Sequence, residues 1–434
     1  MAMVLHFLAR FAILLMTVGL AAVVVLVCVY TVRHYWFTVN RLFASQRHPY
    51  LDVQTADWPT VAVLIPAHNE EAVIAHAIEA LLEADYPHDR MVIVPVDDRS
   101  TDRTRELVAE LAARHPERIR PFYRDSGKAG KAAALKDATG QVPGEILLVF
   151  DADYIPGTGL VKQLVAPFFD PEVGATMGRV VPVNVGINLL TRLLDLERAG
   201  GYQVDQQARM NMQLVPQFGG TVGGVRRRAL ESVGGWRDDT LTEDTELTYR
   251  LLLGGWQTVY QNRSECYEEV PELWRVRQRQ IQRWARGHNG VMWRYAVPLL
   301  RNRGRVTRAQ QLDGLLLLGV FAMAPLLILG WALALGLLYA GASPLHGVVA
   351  ILALAGYSTL GNYAAFFQVA TAARLDGTHG RIRLLPFLSF GFLVSLLSVS
   401  RAILPRTLWP FGRRGLVWHK TQRFRNGNGN GNGH

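Results

Sequence analysis

Hydrophobic and polar positions divide this chain into three zones. Residues 11–32 (FAILLMTVGLAAVVVLVCVYTV) carry no charge and are long enough to cross the roughly 30 Å hydrocarbon core of a bilayer. Residues 33–311 are mostly polar. Residues 312–404 contain three further apolar runs, at about 312–340, 346–372 and 384–404. Within the polar zone the apolar runs are short. Residues 61–66 (VAVLIP), 91–96 (MVIVPV) and 146–150 (ILLVF) are continuously apolar and bounded by polar turn residues, the pattern of strands buried on both faces. Helical stretches lie between them, at 72–82 and up to 113, the second with Ser100 or Thr101 as expected cap. Strands alternating with helices predict an α/β fold, with a mixed, mostly parallel sheet and crossover helices. An α-helical transmembrane region is expected around it.

Polar residues follow each strand: Asn69 and Glu70, then Asp97 and Asp98, then Asp151 and Asp153. In open α/β sheets, ligands sit beyond the carboxyl ends of the strands, so three such ends on one edge would form a nucleotide cleft. Asp151 and Asp153 are one residue apart. Burial and mutual repulsion would raise their pKa values unless a cation lies between them. That points to a Mg²⁺ or Mn²⁺ site facing a phosphate-bearing substrate; the alternative is a strand-end turn whose Asp residues cap the next segment. Gly127-Lys128-Ala129-Gly130-Lys131 could touch phosphate, though it lacks the GxxxxGK[ST] spacing. Lys131 could equally be a solvated surface residue. His68 has no partner His or Cys at ligand spacing and is expected near base or ribose instead.

Charge orients the apolar runs. Arg33, Arg41 and Arg47 follow the first, and Arg301, Arg303, Arg305 and Arg308 precede the second. The positive-inside rule places both flanks in the cytoplasm, with the middle zone cytosolic. A cleaved signal peptide is disfavoured, because the first run is too long and no small-residue cleavage site follows it. The formal net charge of +10 then suits anionic headgroups at an inner or plasma membrane. No aromatic-basic module points to nucleic acid. Two cysteines, Cys28 and Cys266, form no zinc or disulfide pattern. One expectation conflicts with another. Four spans would put the C-terminal tail outside, yet Arg406, Arg413, Arg414, Lys420, Arg423 and Arg425 argue for inside, so the last run would be re-entrant or the span count wrong. The expected division is an N-terminal segment 1–10, a span 11–32, a juxtamembrane linker 33–58, a cytosolic domain 59–270 and amphipathic interfacial helices 271–311. Three transmembrane or partly re-entrant segments (312–404) and a basic, low-complexity tail (405–434) complete it.

Six motifs in order carry a resemblance. Pro66-Ala67-His68-Asn69-Glu70, Asp97-Asp98-Arg99-Ser100-Thr101-Asp102 and Asp151-Ala152-Asp153 resemble the nucleotide-sugar half of family 2 inverting glycosyltransferases, which have the GT-A fold. Phe218-Gly219-Gly220-Thr221, Thr242-Glu243-Asp244 and Gln280-Ile281-Gln282-Arg283-Trp284 resemble the acceptor half of the membrane-embedded branch, which includes cellulose, chitin, hyaluronan, poly-N-acetylglucosamine and mannan synthases. The resemblance covers roughly residues 59–303. It implies that Ala67, Glu70 and Asp98 hold the nucleoside, with Asp151 near the diphosphate and Asp153 on the metal. Lys131, Gln280 and Arg283 would serve the donor; Phe218, Gly219, Gly220, Thr221 and Trp284 would serve the acceptor. Asp244 would be the base.

The chemistry asks for these residue types. A leaving diphosphate needs cations, here the metal with Arg283 and Lys131. An acceptor hydroxyl needs a carboxylate to take its proton. Asp244 is the first choice, Glu243 the nearest rival and Glu246 a weaker one. Glu243 and Asp244 could also simply open a helix, and Arg283-Trp284 could also anchor at headgroup depth. The expected activity is hexosyl transfer from a nucleotide diphosphate sugar, UDP-linked preferred and GDP-linked possible, to a growing β-linked polysaccharide with coupled translocation. Transfer of one sugar to a membrane lipid is the alternative. A silent scaffold or transporter subunit is a third, opposed by the intact Asp98, Asp153, Asp244 and Arg283.

Overall fold

The computed structural model describes residues 2–46, 57–302, 304–340 and 344–408. One long helix, α1 (Ala2–Phe43), comes first. The polar zone then runs β1 (Val61–Ala67), α2 (Ile74–Leu82), β2 (Met91–Asp98), α3 (Thr104–Arg114), β3 (Phe122–Arg124), α4 (Lys131–Thr139), β4 (Ile146–Val149), β5 (Ile155–Pro156) and α5 (Leu160–Val165). It continues through β6 (Val173–Pro182), α6 (Leu189–Ala199), α7 (Gln207–Asn211), β7 (Gly223–Arg226), α8 (Arg227–Ser232), α9 (Glu243–Gly254) and β8 (Gln257–Glu268). The helices α10 (Trp274–Arg301), α11 (Arg308–Gly319), α12 (Met323–Tyr339), α13 (Pro344–Leu375) and α14 (Leu385–Leu408) follow.

The eight strands form one sheet in the order β3-β2-β1-β4-β7-β6-β8-β5. The pairs β1–β2, β1–β4, β2–β3 and β6–β8 are parallel, while β7 enters antiparallel between β4 and β6. This is the expected GT-A-like mixed, mostly parallel sheet. Strands β1, β2 and β4 are largely apolar because both faces of the sheet are covered there. Val61, Val63 and Ile65 pack with Ile74, Ile78 and Leu111 on one face. Ala62 and Leu64 pack with Leu135, Leu230 and Leu247 on the other. The period-2 alternation of a strand assigns neighbours to opposite faces. Parallel β1, β2 and β4 therefore release their polar residues at one common edge.

Two local expectations change. Neither Ser100 nor Thr101 caps α3. Arg103 holds the N-cap position with no side-chain cap, and Asp102 just before it accepts from Thr104 N at 3.0 Å through Oδ1, while Ser100 Oγ accepts from Asn69 N and Thr101 N donates to Asn69 Oδ1. The two hydroxyl residues lace the β1 and β2 loops together instead. The first helix also extends well past residue 32, to Phe43, through what was expected to be linker.

Three helices are long and apolar enough to cross a membrane among the described residues: Met3–Phe43, Arg308–Tyr339 and His379–Leu404. The run 346–372 lies within α13. The tail 409–434 and Arg47 and Arg303 lie outside the described residues, so the tail's expected side is not addressed by the structure.

The sheet domain is joined to these helices by a cluster of buried charges. Between α6 and α7 the chain takes π-helical form over Gly200–Gln206. Asp205 of that segment pairs with Arg33 of α1 at 3.0 Å and with Arg209 of α7 at 2.8 Å. Asp313 of α11 receives Arg209 at 3.1 Å and Arg33 at 3.4 Å. Two cations and two anions are thus neutralised out of water. Arg33 was expected to meet lipid headgroups; it is instead committed to this cluster, because α1 passes alongside the sheet domain rather than ending at residue 32. Arg301, Arg305 and Arg308 remain exposed.

Replacing Asp313 with Ala would leave Arg33 and Arg209 sharing one carboxylate. Breaking such a pair costs about 3–5 kcal/mol. The expected outcome is a clearly lower melting temperature of the purified full chain in detergent, with Asp313→Asn intermediate.

Candidate active site

A cavity of about 1040 Å³ opens at the carboxyl edge of β1, β2 and β4. Ala67, Glu70, Asp98, Lys131 and Asp151 line one side. Glu243, Asp244, Gln280, Arg283 and Trp284 line the other, with Gly219 and Thr221 between. Residues from both halves of the chain therefore share one space. Three expected residues do not line it. Asp153 is buried. Phe218 is fully buried and packs near Trp236 in the core, so it supports the loop rather than touching an acceptor. Gly220 lies against Asp244 instead.

Asp98 organises the donor side. It accepts from Arg124 Nη1 at 2.7 Å and Arg99 Nε at 2.9 Å through Oδ1, and from Gly130 N at 3.0 Å through Oδ2. Holding Gly130 fixes the start of α4 and so places Lys131. Lys131 Nζ meets Asp151 Oδ1 at 2.5 Å. Burial disfavours the Lys131 charge, but Asp151, Glu243 and Asp244 outweigh it and raise its pKa. Lys131 is thus no solvated surface lysine; it is the cation of an acidic site. Thr221 Oγ1 accepts from Asp151 N at 3.1 Å, which ties the glycine-rich loop to the end of β4. His68 Nδ1 lies 2.7 Å from Asp98 O, close to the expected nucleoside side.

Glu243 and Asp244 are the first two residues of α9, where the helix dipole favours carboxylates. Two glycines pack tightly around residues 242–244. A side chain at Gly220, whose φ is +72°, would strike Asp244 Cβ at 2.9 Å. One at Gly287 of α10 would strike Thr242 Cγ2 at 2.3 Å. Burial, then Asp244, push the Glu243 pKa up against Lys131 and Arg283. The two expectations for this pair coexist: it opens the helix and faces the cavity. Glu246 is different. It is fully buried, paired with Arg250 at 2.7 Å and bonded by Tyr295 Oη, so its carboxylate is committed to structure.

Arg283 makes no hydrogen bond or ion pair to another described residue, which leaves its guanidinium available in the cavity. Trp284 is not a bare stacking face. The guanidiniums of Arg198 and Arg277 lie 5.4 and 5.3 Å from its ring centroid. Arg198 in turn binds Glu268 at 2.6 Å, and Tyr154 Oη donates to the same carboxylate at 2.6 Å. This cluster, like His288, Leu317, Val320 and Phe321, lines the cavity without a motif to announce it. The last three belong to α11 and the turn after it, so the cavity reaches the apolar helices.

No group of three His, Cys, Asp or Glu at metal-binding spacing occurs among the described residues. The donor set still fits a hard divalent ion of the kind that takes one or two carboxylates and completes its shell with substrate phosphates and water. Asp151 is the carboxylate of the Asp151 and Asp153 pair that lines the cavity, while Asp153, two residues on, is buried.

Residues 59–287 match the family described as "Glycosyltransferase like family 2". The chain is 35% identical over 246 residues to the probable glycosyltransferase YdaM of Bacillus subtilis, a match covering 56% of this chain and 58% of that protein. It is 35% identical over 241 residues to the beta-monoglucosyldiacylglycerol synthase of Synechocystis sp., covering 54% and 49%. These matches span about half the length of the curated relatives. Among solved structures, the mannosyltransferase PcManGT from Pyrobaculum calidifontis, in complex with GDP-Man and Mn2+, superposes with a TM-score of 0.62 at 22% identity, over 92% of this chain and all of that one. At that identity the likeness establishes the fold.

Burial lowers the His288 pKa from 6.5 to about 4. The unfolded chain therefore takes up a proton near pH 6.5 that the folded chain refuses until about pH 4. The unfolded state binds more protons in that window, so stability is full above pH 6.5 and falls as pH drops toward 4, by at most about 1.4 kcal/mol per pH unit. His288→Gln should flatten that part of the melting-temperature profile relative to the unmodified protein.

Proposed function

The chain belongs to the glycosyltransferase-like family 2, and from that premise we propose that it transfers a hexose from a nucleotide diphosphate sugar to a hydroxyl of a membrane lipid. The observation that carries this reading is the shape of the cavity. It runs from Glu70 and Asp98 past Asp244 to Leu317, Val320 and Phe321 on the apolar helices. An amphiphile entering from the bilayer would keep its chains on that apolar wall and present its head to Asp244. The name of the Synechocystis relative, a synthase of a glucosyl lipid, supports the same acceptor class.

The residues divide the work as follows. Ala67, Glu70 and Asp98 border the nucleoside. A UDP-linked donor is preferred, with a GDP-linked donor the rival. Lys131 leaves Asp151 for the diphosphate, and Arg283 supplies a second cation as negative charge develops on the leaving group. Asp151 and Asp153 would hold Mg²⁺ or Mn²⁺, which supplies Lewis-acid neutralisation of that diphosphate. Asp244 accepts the proton of the attacking hydroxyl. A single displacement inverts the anomeric carbon, so an α-linked donor gives a β-linked product. Trp284, held by Arg198 and Arg277, shapes the acceptor side with Gly219 and Thr221. The protein would sit in the plasma membrane as a multi-pass chain, catalytic domain in the cytoplasm.

Processive β-glycan synthesis is the second reading. It is favoured by the intact Gln280, Arg283 and Trp284 on the cavity wall.

The test is the full chain in nanodiscs with a panel of nucleotide sugars and Mg²⁺ or Mn²⁺. A chloroform-soluble monoglycoside supports lipid transfer; a high-molecular-weight, glycanase-sensitive product overturns it in favour of processive synthesis. Asp244→Asn should lower kcat by roughly 10²–10⁴-fold, the usual share of a general base, with little change in donor KM. Chelation should abolish turnover, and Mn²⁺ or Mg²⁺ should restore it.

A further inference from the structure

Thr245 follows the proposed base directly and is fully buried. Its backbone N–H donates to Asp244 Oδ1 at 2.7 Å. Its hydroxyl has three polar neighbours: Gln217 Nε2 at 2.9 Å, His288 Nε2 at 3.0 Å and Asp244 Oδ1 at 3.4 Å. A hydroxyl has one proton and two lone pairs. Gln217 can only donate through its amide nitrogen, which fills one lone pair. The imidazole of His288 decides the rest.

Burial keeps His288 neutral, so one ring nitrogen carries the proton. Nδ1 is buried with no hydrogen-bond partner among the described residues, and Phe321 packs edge-on at 4.9 Å. A buried N–H without an acceptor is rarer and more costly than an unmet acceptor. The proton therefore belongs on Nε2, which donates to Thr245. Both lone pairs of the hydroxyl are then filled, and its one proton turns to Asp244 Oδ1.

We propose that His288, together with Gln217, is a positioning residue that sets the Asp244 base through the Thr245 hydroxyl. Both donors from Thr245 fall on Oδ1. Oδ2 takes no hydrogen bond from Thr245 and is left to take the acceptor proton. Gln217 is itself fixed by a reciprocal pair with Gln206 of the π segment, Gln206 Nε2 to Gln217 O at 3.0 Å and Gln217 N to Gln206 Oε1 at 3.1 Å. The arrangement thus reaches from the charge cluster at the membrane helices to the base. This inference rests on Asp244 being the base.

The test uses full-length protein in nanodiscs, scored by release of UDP from UDP-glucose or GDP from GDP-mannose, whichever donor turns over. A Gln side chain can place an amide nitrogen near the position of Nε2; an Asn cannot reach it. His288→Asn and Thr245→Val are expected to lower kcat about tenfold, the weight of one hydrogen bond to a charged group. Donor KM and the Kd of the nucleoside diphosphate alone should stay within about twofold. His288→Gln and Thr245→Ser should keep most of kcat. Equal kcat for His288→Asn and the unmodified protein would overturn the proposal. So would losses in both His288 variants matched by equal losses in nucleotide affinity and melting temperature, which would mark a structural role. If the His288 variants fail to fold, the Thr245→Val and Thr245→Ser pair decides alone, equal kcat in the two refuting the assignment. Full turnover by Asp244→Asn would instead refute the base assignment itself.

Discussion

Four buried charges decide how this molecule is assembled. Arg33, Asp205, Arg209 and Asp313 come from the first apolar helix, the π segment, α7 and α11, and their charges cancel. Taking such groups out of water costs several kcal/mol each unless every one finds its partners. Apolar packing between the sheet domain and the helices would tolerate many relative placements; charge pairing tolerates few. The cluster therefore acts more as a register than as glue. It fixes where the apolar helices lie relative to the carboxyl edge of the sheet, and with that the position of Leu317 and Phe321 relative to Asp244.

The same π segment works in two directions. Asp205 faces the cluster, while Gln206, the next residue, supports Gln217 and through it Thr245. Gln203 adds a third connection, accepting from Arg41 of α1 and donating to Asp376 beyond α13. Consecutive residues on a wide helical turn can point toward both the apolar helices and the cavity, a division of labour that seven residues of regular α-helix would distribute differently.

Strands β1, β2 and β4 were readable from sequence because they are short apolar runs bounded by polar turn residues; β3, β5, β6, β7 and β8 were not, since they carry polar residues or glycines or are only two or three residues long. The strand-end acids were readable for the same reason: the end of a buried run dictates where polar residues emerge. What failed was depth. In Asp151-Ala152-Asp153 the spacing says that two carboxylates are near one another, not that one lines the cavity and the other is buried. Phe218 failed likewise, since a motif position does not reveal whether a ring faces substrate or core. Long-range pairing was invisible. Arg33 looks like a juxtamembrane cation because its partners lie 172 and 280 residues away. His288 is a single histidine on a basic helix, and its link to Thr245 spans 43 residues. The Trp284 ring looked available only because Arg198 is distant in sequence.

The π segment also has a consequence for how this fold tolerates change in length. A π turn holds one residue more than an α turn. Losing one residue anywhere within Gly200–Gln206 would relax it toward ordinary α-helix and rotate everything after it by about 100°. Arg209 would swing away from Asp313. Residues before the deletion would hold their places, so contacts made on its two sides would part company in a single step. A deletion here would not trim a loop but shift the phase of the molecule.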